Sequence, residues 1–291
     1  MAQASKTVSL VLGSGGARGL AHIGVIQWLT ENGYTIRSIS GSSMGALVGG
    51  IYASGKLSTF AEWVLALERM EVLRLLDPSF GRAGLFKGER IMDQLRGLIG
   101  DEDIEALPVD FTAVAMDLES GKEMWLREGK LFDAVRASIA IPLLFTPHLR
   151  GGRTLVDGGL VNPVPIAPTL NDPTDLTIAV NLGGRSEARP VPAPSAPIPQ
   201  ENGYRQRIHA FIESLQPVRE VTVSAPGMID IALRSMEAME NTIARLKLAA
   251  YSPDVTIEIP RNACRIHEFW RAEEMIALGR ERTVRAFGAD E

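Results

Sequence analysis

Three short clusters hold residue types that together could perform acyl transfer. Gly41-Ser42-Ser43-Met44-Gly45 fits G-x-S-x-G, a pattern that sets a serine on a sharp strand-to-helix turn. The turn closes only if the residues two before and two after the serine are small. It lifts the hydroxyl clear of a sheet and sets it at a helix N-terminus, where the dipole favours developing negative charge. The plainer alternative for Ser43 is a cap in a tight turn.

Gly13-Ser14-Gly15-Gly16-Ala17-Arg18-Gly19 lies upstream. Glycines there let backbone N–H groups face an anion. A dinucleotide loop is disfavoured, because Arg18 stands where G-x-G-x-x-G from Gly13 needs glycine. The elbow also occupies the place of the acidic ribose contact. The Gly-Lys-Ser/Thr ending of a P-loop is absent. Donors for a tetrahedral oxyanion fit better. Arg18 has two readings: it orients this loop or a phosphate head group, or it starts a helix with its head in solvent.

A serine nucleophile needs a proton acceptor. Asp157, followed by Gly158 and Gly159, sits where a strand gives way to a loop, as active-site residues of parallel sheets do. Asp-Gly is also a common turn pair. Ser43, Asp157 and either His209 or His267 follow the chain order of an α/β-hydrolase triad. His148 precedes Asp157, and His22 reads as packing.

The elements that must position these residues are legible in the hydrophobic pattern. Apolar runs at 8–12, 36–40, 154–156, 176–182 and 255–259 read as strands, and 111–118 with 123–126 as a hairpin around Ser120-Gly121. Helices are expected over 17–29, 43–53, 58–75, 89–99, 131–137 and 267–280. Strand, glycine loop and helix recur twice in the first 55 residues, which implies βαβ units and a parallel sheet. Five prolines make 185–202 a loop, followed by a helical 204–250. Methionines on one face of that helix suit a lid over an acyl pocket, a membrane contact or a core-facing helix. One domain over 7–285 is expected.

A net charge of -5 gives no electrostatic support to nucleic-acid binding. The one cysteine, Cys264, excludes an intrachain disulfide and suits a small buried side chain in a reducing compartment. Four scattered histidines lack metal-ligand spacing, so neither metal nor cofactor is implied. No apolar run is long enough for a signal peptide or a membrane span. The expected location is the cytoplasm, with peripheral membrane contact left open.

The three clusters, in this order and spacing, resemble the signature blocks of patatin-like phospholipases, and the chain looks like their short bacterial members, related to neuropathy target esterase and RssA. The resemblance implies a three-layer α/β/α fold with a central, mainly parallel sheet. It implies hydrolysis of fatty acyl esters, from lysophospholipids and phospholipids to simple carboxyl esters. It further implies a Ser–Asp dyad without histidine: Ser43 as nucleophile, Asp157 as base. Gly15, Gly16 and Arg18 would form or support the oxyanion hole, with Gly41, Gly45, Gly158 and Gly159 shaping the turns. One departure is visible. Ser14 stands where the family often has the first of three glycines.

Overall fold

The computed structural model describes residues 6–79, 84–187 and 227–288. Contacts divide the chain into two compact units, 1–186 with 235–291, and 187–234. The expected proline-rich loop beyond residue 187, and the expected lid up to residue 226, lie outside the described residues.

In the larger unit, β1 (Thr7–Leu12) leads through a 3-10 turn, Gly16–Leu20, into α1 (Ala21–Glu31). Next come β2 (Thr35–Ser42), α2 (Met44–Ala53), α3 (Leu57–Ala66), α4 (Arg69–Arg74), β3 (Gly84–Phe86) and α5 (Glu89–Ile99). The middle of the chain forms β4 (Asp110–Asp117), β5 (Glu123–Leu126), α6 (Leu131–Ser138), β6 (Leu143–Phe145), β7 (His148–Arg150) and β8 (Arg153–Asp157). It closes with β9 (Leu176–Gly184), α7 (Met228–Tyr251), β10 (Val255–Pro260) and α8 (Ala272–Gly288). The first seven residues of α7 belong to the smaller unit, where Arg234 pairs with Asp230 at 3.0 Å, one turn apart.

The main sheet runs β10-β9-β1-β2-β4-β8-β7, with β5 also on β4. From β10 to β4 every pair is parallel, while β5, β8 and β7 pair antiparallel. Apolar side chains on both faces of β1 explain why it lies inside. Leu10 and Leu12 enter the large core with α1 and α2, whereas Val11 joins Val164, Ile166, Ala179 and Ala244 of α7 in a smaller core. The fold is therefore three-layered, α/β/α. Each fully buried aliphatic side chain contributes about 2 kcal/mol from water exclusion.

The elements depart from the hydrophobic pattern in a few places. The expected helix 58–75 is two helices, broken after Ala66. Glu68 and Glu71 form a capping box that starts the second. The first helix is preceded by the 3-10 turn Gly16–Leu20, which Gly16 enters with φ of +56°. The last helix begins at Ala272, after a 3-10 turn at Phe269–Arg271. Strands β3, β6 and β7, three residues each, are too short to show a period.

Candidate active site

The carboxyl ends of β1 and β2 carry the glycine loop and the serine elbow, at the sheet edge where ligands of open parallel sheets bind. Three amides of the loop are already committed. Gly13 N–H donates to the Val180 carbonyl at 3.0 Å, Ser14 to Pro163 at 2.8 Å and Ala17 to Ile266 at 2.9 Å. Among the described residues, the N–H groups of Gly15 and Gly16 have no acceptor. Gly16 could not be replaced cheaply: its φ is left-handed, and a Cβ there would sit 2.6 Å from the Ile266 carbonyl.

Arg18 is buried. Its Nε donates to the Gly15 carbonyl at 3.2 Å and its Nη1 to the Arg261 carbonyl at 2.5 Å. Nη1 also pairs with Glu237 at 2.7 Å. The guanidinium thus grips the carbonyl side of the loop, and its head is not solvated. His22, fully buried, donates from Nε2 to the Gly13 carbonyl at 2.9 Å. Burial lowers its pKa to about 4, so the ring is neutral near pH 7.

Ser43 has φ of 55° and ψ of -123°, a strained conformation for a residue with a side chain. The glycines on either side make it attainable. A Cβ on Gly45 would lie 2.0 Å from the Leu12 carbonyl, and one on Gly41 would lie 2.4 Å from Gly45. Ser43 N–H donates to Ser138 Oγ at 2.9 Å, and that hydroxyl donates to the Val114 carbonyl at 2.6 Å.

Asp157 ends β8, and its N–H donates to the Ala140 carbonyl at 3.0 Å. Gly158 and Gly159 continue it into a 3-10 turn, from which Gly159 N–H donates to Asp157 Oδ1 at 2.7 Å. Among the described residues, Oδ2 is buried without a hydrogen-bond partner. Sheet register brings acid and serine together, for Ser42 pairs with Val114 and Ala115 with Asp157. Burial pushes the Asp157 pKa up to about 8, aided by the negative charge of Glu240 and opposed by the Ser43 hydroxyl and the Gly159 amide. The Ser43 hydroxyl is thus a polar neighbour of the Asp157 carboxylate.

Glu240 is the neighbour of this site that sequence reasoning missed. Projecting from α7, it accepts a hydrogen bond from Ser14 Oγ at 3.0 Å. The one signal was Ser14 itself, a polar side chain in a glycine loop.

Among the described residues, neither His148 nor His267 bonds to Ser43 or Asp157. His148 and Arg150 both bind Asp133, at 2.6 and 2.8 Å. The ring of His267 packs near Trp270, at 6.0 Å between centroids. His209 lies outside the described residues. Cys264 is buried, its pKa raised to about 11 by desolvation.

A cavity of about 200 Å³ opens beside Ser43, walled by Leu47, Phe60, Val64, Leu95, Leu144 and His267 among others. An apolar cavity of about 150 Å³ stays dry and admits benzene, so this one suits hydrocarbon. Among the described residues, no three His, Cys, Asp or Glu side chains are grouped to hold a metal ion, and no helix is long and apolar enough to cross a membrane.

The family model described as patatin-like phospholipase matches residues 10–170, which include all three clusters. The chain belongs to the patatin-like phospholipase family. This patatin-like chain is 40% identical over 337 residues to an NTE family protein of Mycobacterium tuberculosis, covering 99% of the chain and 93% of the relative. It is 32% identical over 188 residues to the patatin-like phospholipase domain-containing protein ZK370.4 of Caenorhabditis elegans, covering 62% of the chain and 14% of that protein. It is 27% identical over 284 residues to Lysophospholipase NTE1 of Pyricularia oryzae, covering 94% of the chain and 18% of that protein. Lipase- and esterase-type hydrolysis is the activity typical of this family.

Proposed function

We propose that the protein hydrolyses fatty acyl esters through a Ser43–Asp157 dyad and an acyl-enzyme. The observation that carries this reading is the strained Ser43 beside buried Asp157, whose Oδ2 has no other partner, at the wall of an apolar cavity. Ser43 Oγ attacks the ester carbonyl carbon as its proton passes to Asp157. The uncommitted amides of Gly15 and Gly16 are suited to hold the oxyanion. The tetrahedral intermediate then collapses, and the departing alcohol takes the proton from Asp157. Water attacks the acyl carbon and gives its proton to Asp157. Ser43 leaves with that proton, and the fatty acid is released.

Asp157 must be ionised to begin, and its raised pKa makes the rate climb with pH. Among the described residues, no histidine bears on Asp157, which favours the dyad over a triad through His267. Coverage of 93% of the mycobacterial relative supports counting the chain with the short bacterial members.

The test is hydrolysis of p-nitrophenyl esters of increasing chain length by wild type, Ser43→Ala, Asp157→Asn and a double variant carrying His209→Ala with His267→Ala. Background rates for the first two variants, folded, with activity retained by the third, support the dyad. An active Ser43→Ala sinks it, and an inactive but folded His209→Ala/His267→Ala double variant revives the triad.

A further inference from the structure

Ser14 and Glu240 are not explained by the dyad alone. Ser14 lies on the partly exposed side of the glycine loop, and its hydroxyl is turned to Glu240 Oε2. It also lies against the turn that holds the acid. A Cβ built on Gly159 would fall 2.8 Å from Ser14 Oγ and 3.1 Å from Asp157 Oδ1. The Ser14 hydroxyl is therefore bonded to Glu240 and packed against the turn that carries Asp157.

Glu240 as a residue is half-buried on α7, but its carboxylate is wrapped by protein, and desolvation raises its pKa. The groups facing it are Ser14 of the loop, Arg18 behind the loop, Glu237 one turn earlier on α7, and Asp157 across the site. Arg18 is shared, because its Nη1 is held by Glu237. The charge facing Asp157 is that of Glu240, and the Ser43 hydroxyl and Gly159 amide are its polar neighbours.

Resting on the dyad reading, we propose that Glu240 is a positioning residue of the site, which anchors the glycine loop through Ser14 and, as a second carboxylate facing Asp157, sets the pH range over which Asp157 can serve as base. A negative charge beside a buried carboxylic acid opposes its ionisation. Removing that charge while keeping a hydrogen-bond acceptor should let Asp157 ionise at lower pH. Glu240→Gln does this, since an amide oxygen can still accept from Ser14.

The experiment is the pH dependence of kcat/KM on a short-chain p-nitrophenyl ester for wild type, Glu240→Gln and Ser14→Ala, with thermal unfolding as the check on folding. In Glu240→Gln the acidic limb is expected to move down by about one pH unit, so the rate at the foot of the limb rises roughly tenfold. Ser14→Ala removes a donor that favours ionised Glu240, so its limb should move the same way by less. If Glu240→Gln does not fold, Ser14→Ala carries the test. Limbs that stay with the wild type in the folded variants overturn the proposal. An Asp157→Asn enzyme of full activity would instead overturn the dyad reading, and the two failures are separate results.

Discussion

Ser42 Oγ donates to the Asn162 carbonyl across 2.7 Å, with both residues buried. That bond ties the serine elbow to the segment leaving the acid, 120 residues away in sequence. Ser14 N–H adds a second tie to the same segment at Pro163. Loop, elbow and acid are thus joined by direct hydrogen bonds.

Ser138→Ala should damage both fold and chemistry. It strips the Ser43 amide and the Val114 carbonyl of their shared partner. An unsatisfied buried group costs about 1–3 kcal/mol. Urea denaturation should show that loss. If Ser43 is the nucleophile, kcat should fall further than the stability loss explains, because Ser43 loses the contact that holds its backbone.

Asp157→Asn should stabilise the protein at alkaline pH. The folded-state pKa of about 8 lies above the ordinary 3.8, so the folded state binds more protons than the unfolded state between these values. Stability then declines as pH rises from about 4 to 8. A neutral asparagine removes that decline. Denaturation at pH 5 and pH 8 should show the variant gaining on wild type by a few (~3) kcal/mol at the higher pH, while ester hydrolysis is lost.

His22 gives the opposite slope at acid pH. Its pKa is about 4 in the fold against 6.5 ordinarily, so the unfolded state takes up the extra proton between those values. Stability should fall as pH drops from 6.5 to 4, by up to about 3 kcal/mol. His22→Gln should flatten this dependence in denaturation midpoints measured at pH 7 and 4.5.

Val64→Phe should narrow the substrate range. Val64 is buried at the cavity wall, and a larger ring there must take up acyl space. Rates on octanoyl and decanoyl esters should fall by about tenfold, equivalent to about 1.4 kcal/mol, with acetyl ester hydrolysis retained. Equal losses on short and long esters would mean the cavity does not receive the acyl chain.

Arg18→Lys should behave nearly as badly as Arg18→Ala. The guanidinium reaches the Gly15 and Arg261 carbonyls and Glu237 from one planar fork, which an ammonium cannot reproduce. A kcat loss of about a hundredfold is expected if the loop amides bind the oxyanion, with a smaller change in KM.

Glycine punctuation makes much of this readable in the sequence. Strands β1 and β2 and the turns after them are bounded by glycines whose spacing is dictated by close backbone approach, as at Gly45. Asp157 was legible as a loop residue, though its burial was not. Glu240 was hidden because an acid on an amphipathic helix resembles a solvated face, and only tertiary packing turns it inward. The break between α3 and α4 was equally hidden: the apolar period runs on through it, while the capping box of Glu68 and Glu71 uses residues that also suit a helix interior.

Strand β4 has a further consequence. Ser43 hangs from Val114 through Ser138, and Asp157 pairs with Ala115, the next residue of the same strand. The distance between them is therefore gauged by a single peptide step on one rigid rail. Breathing that lifts a whole layer carries both ends together, so the pair should keep its spacing through motions that deform the surrounding loops. The same arrangement concentrates vulnerability, because a one-residue slip of that rail would dislodge donor and acceptor in the same stroke.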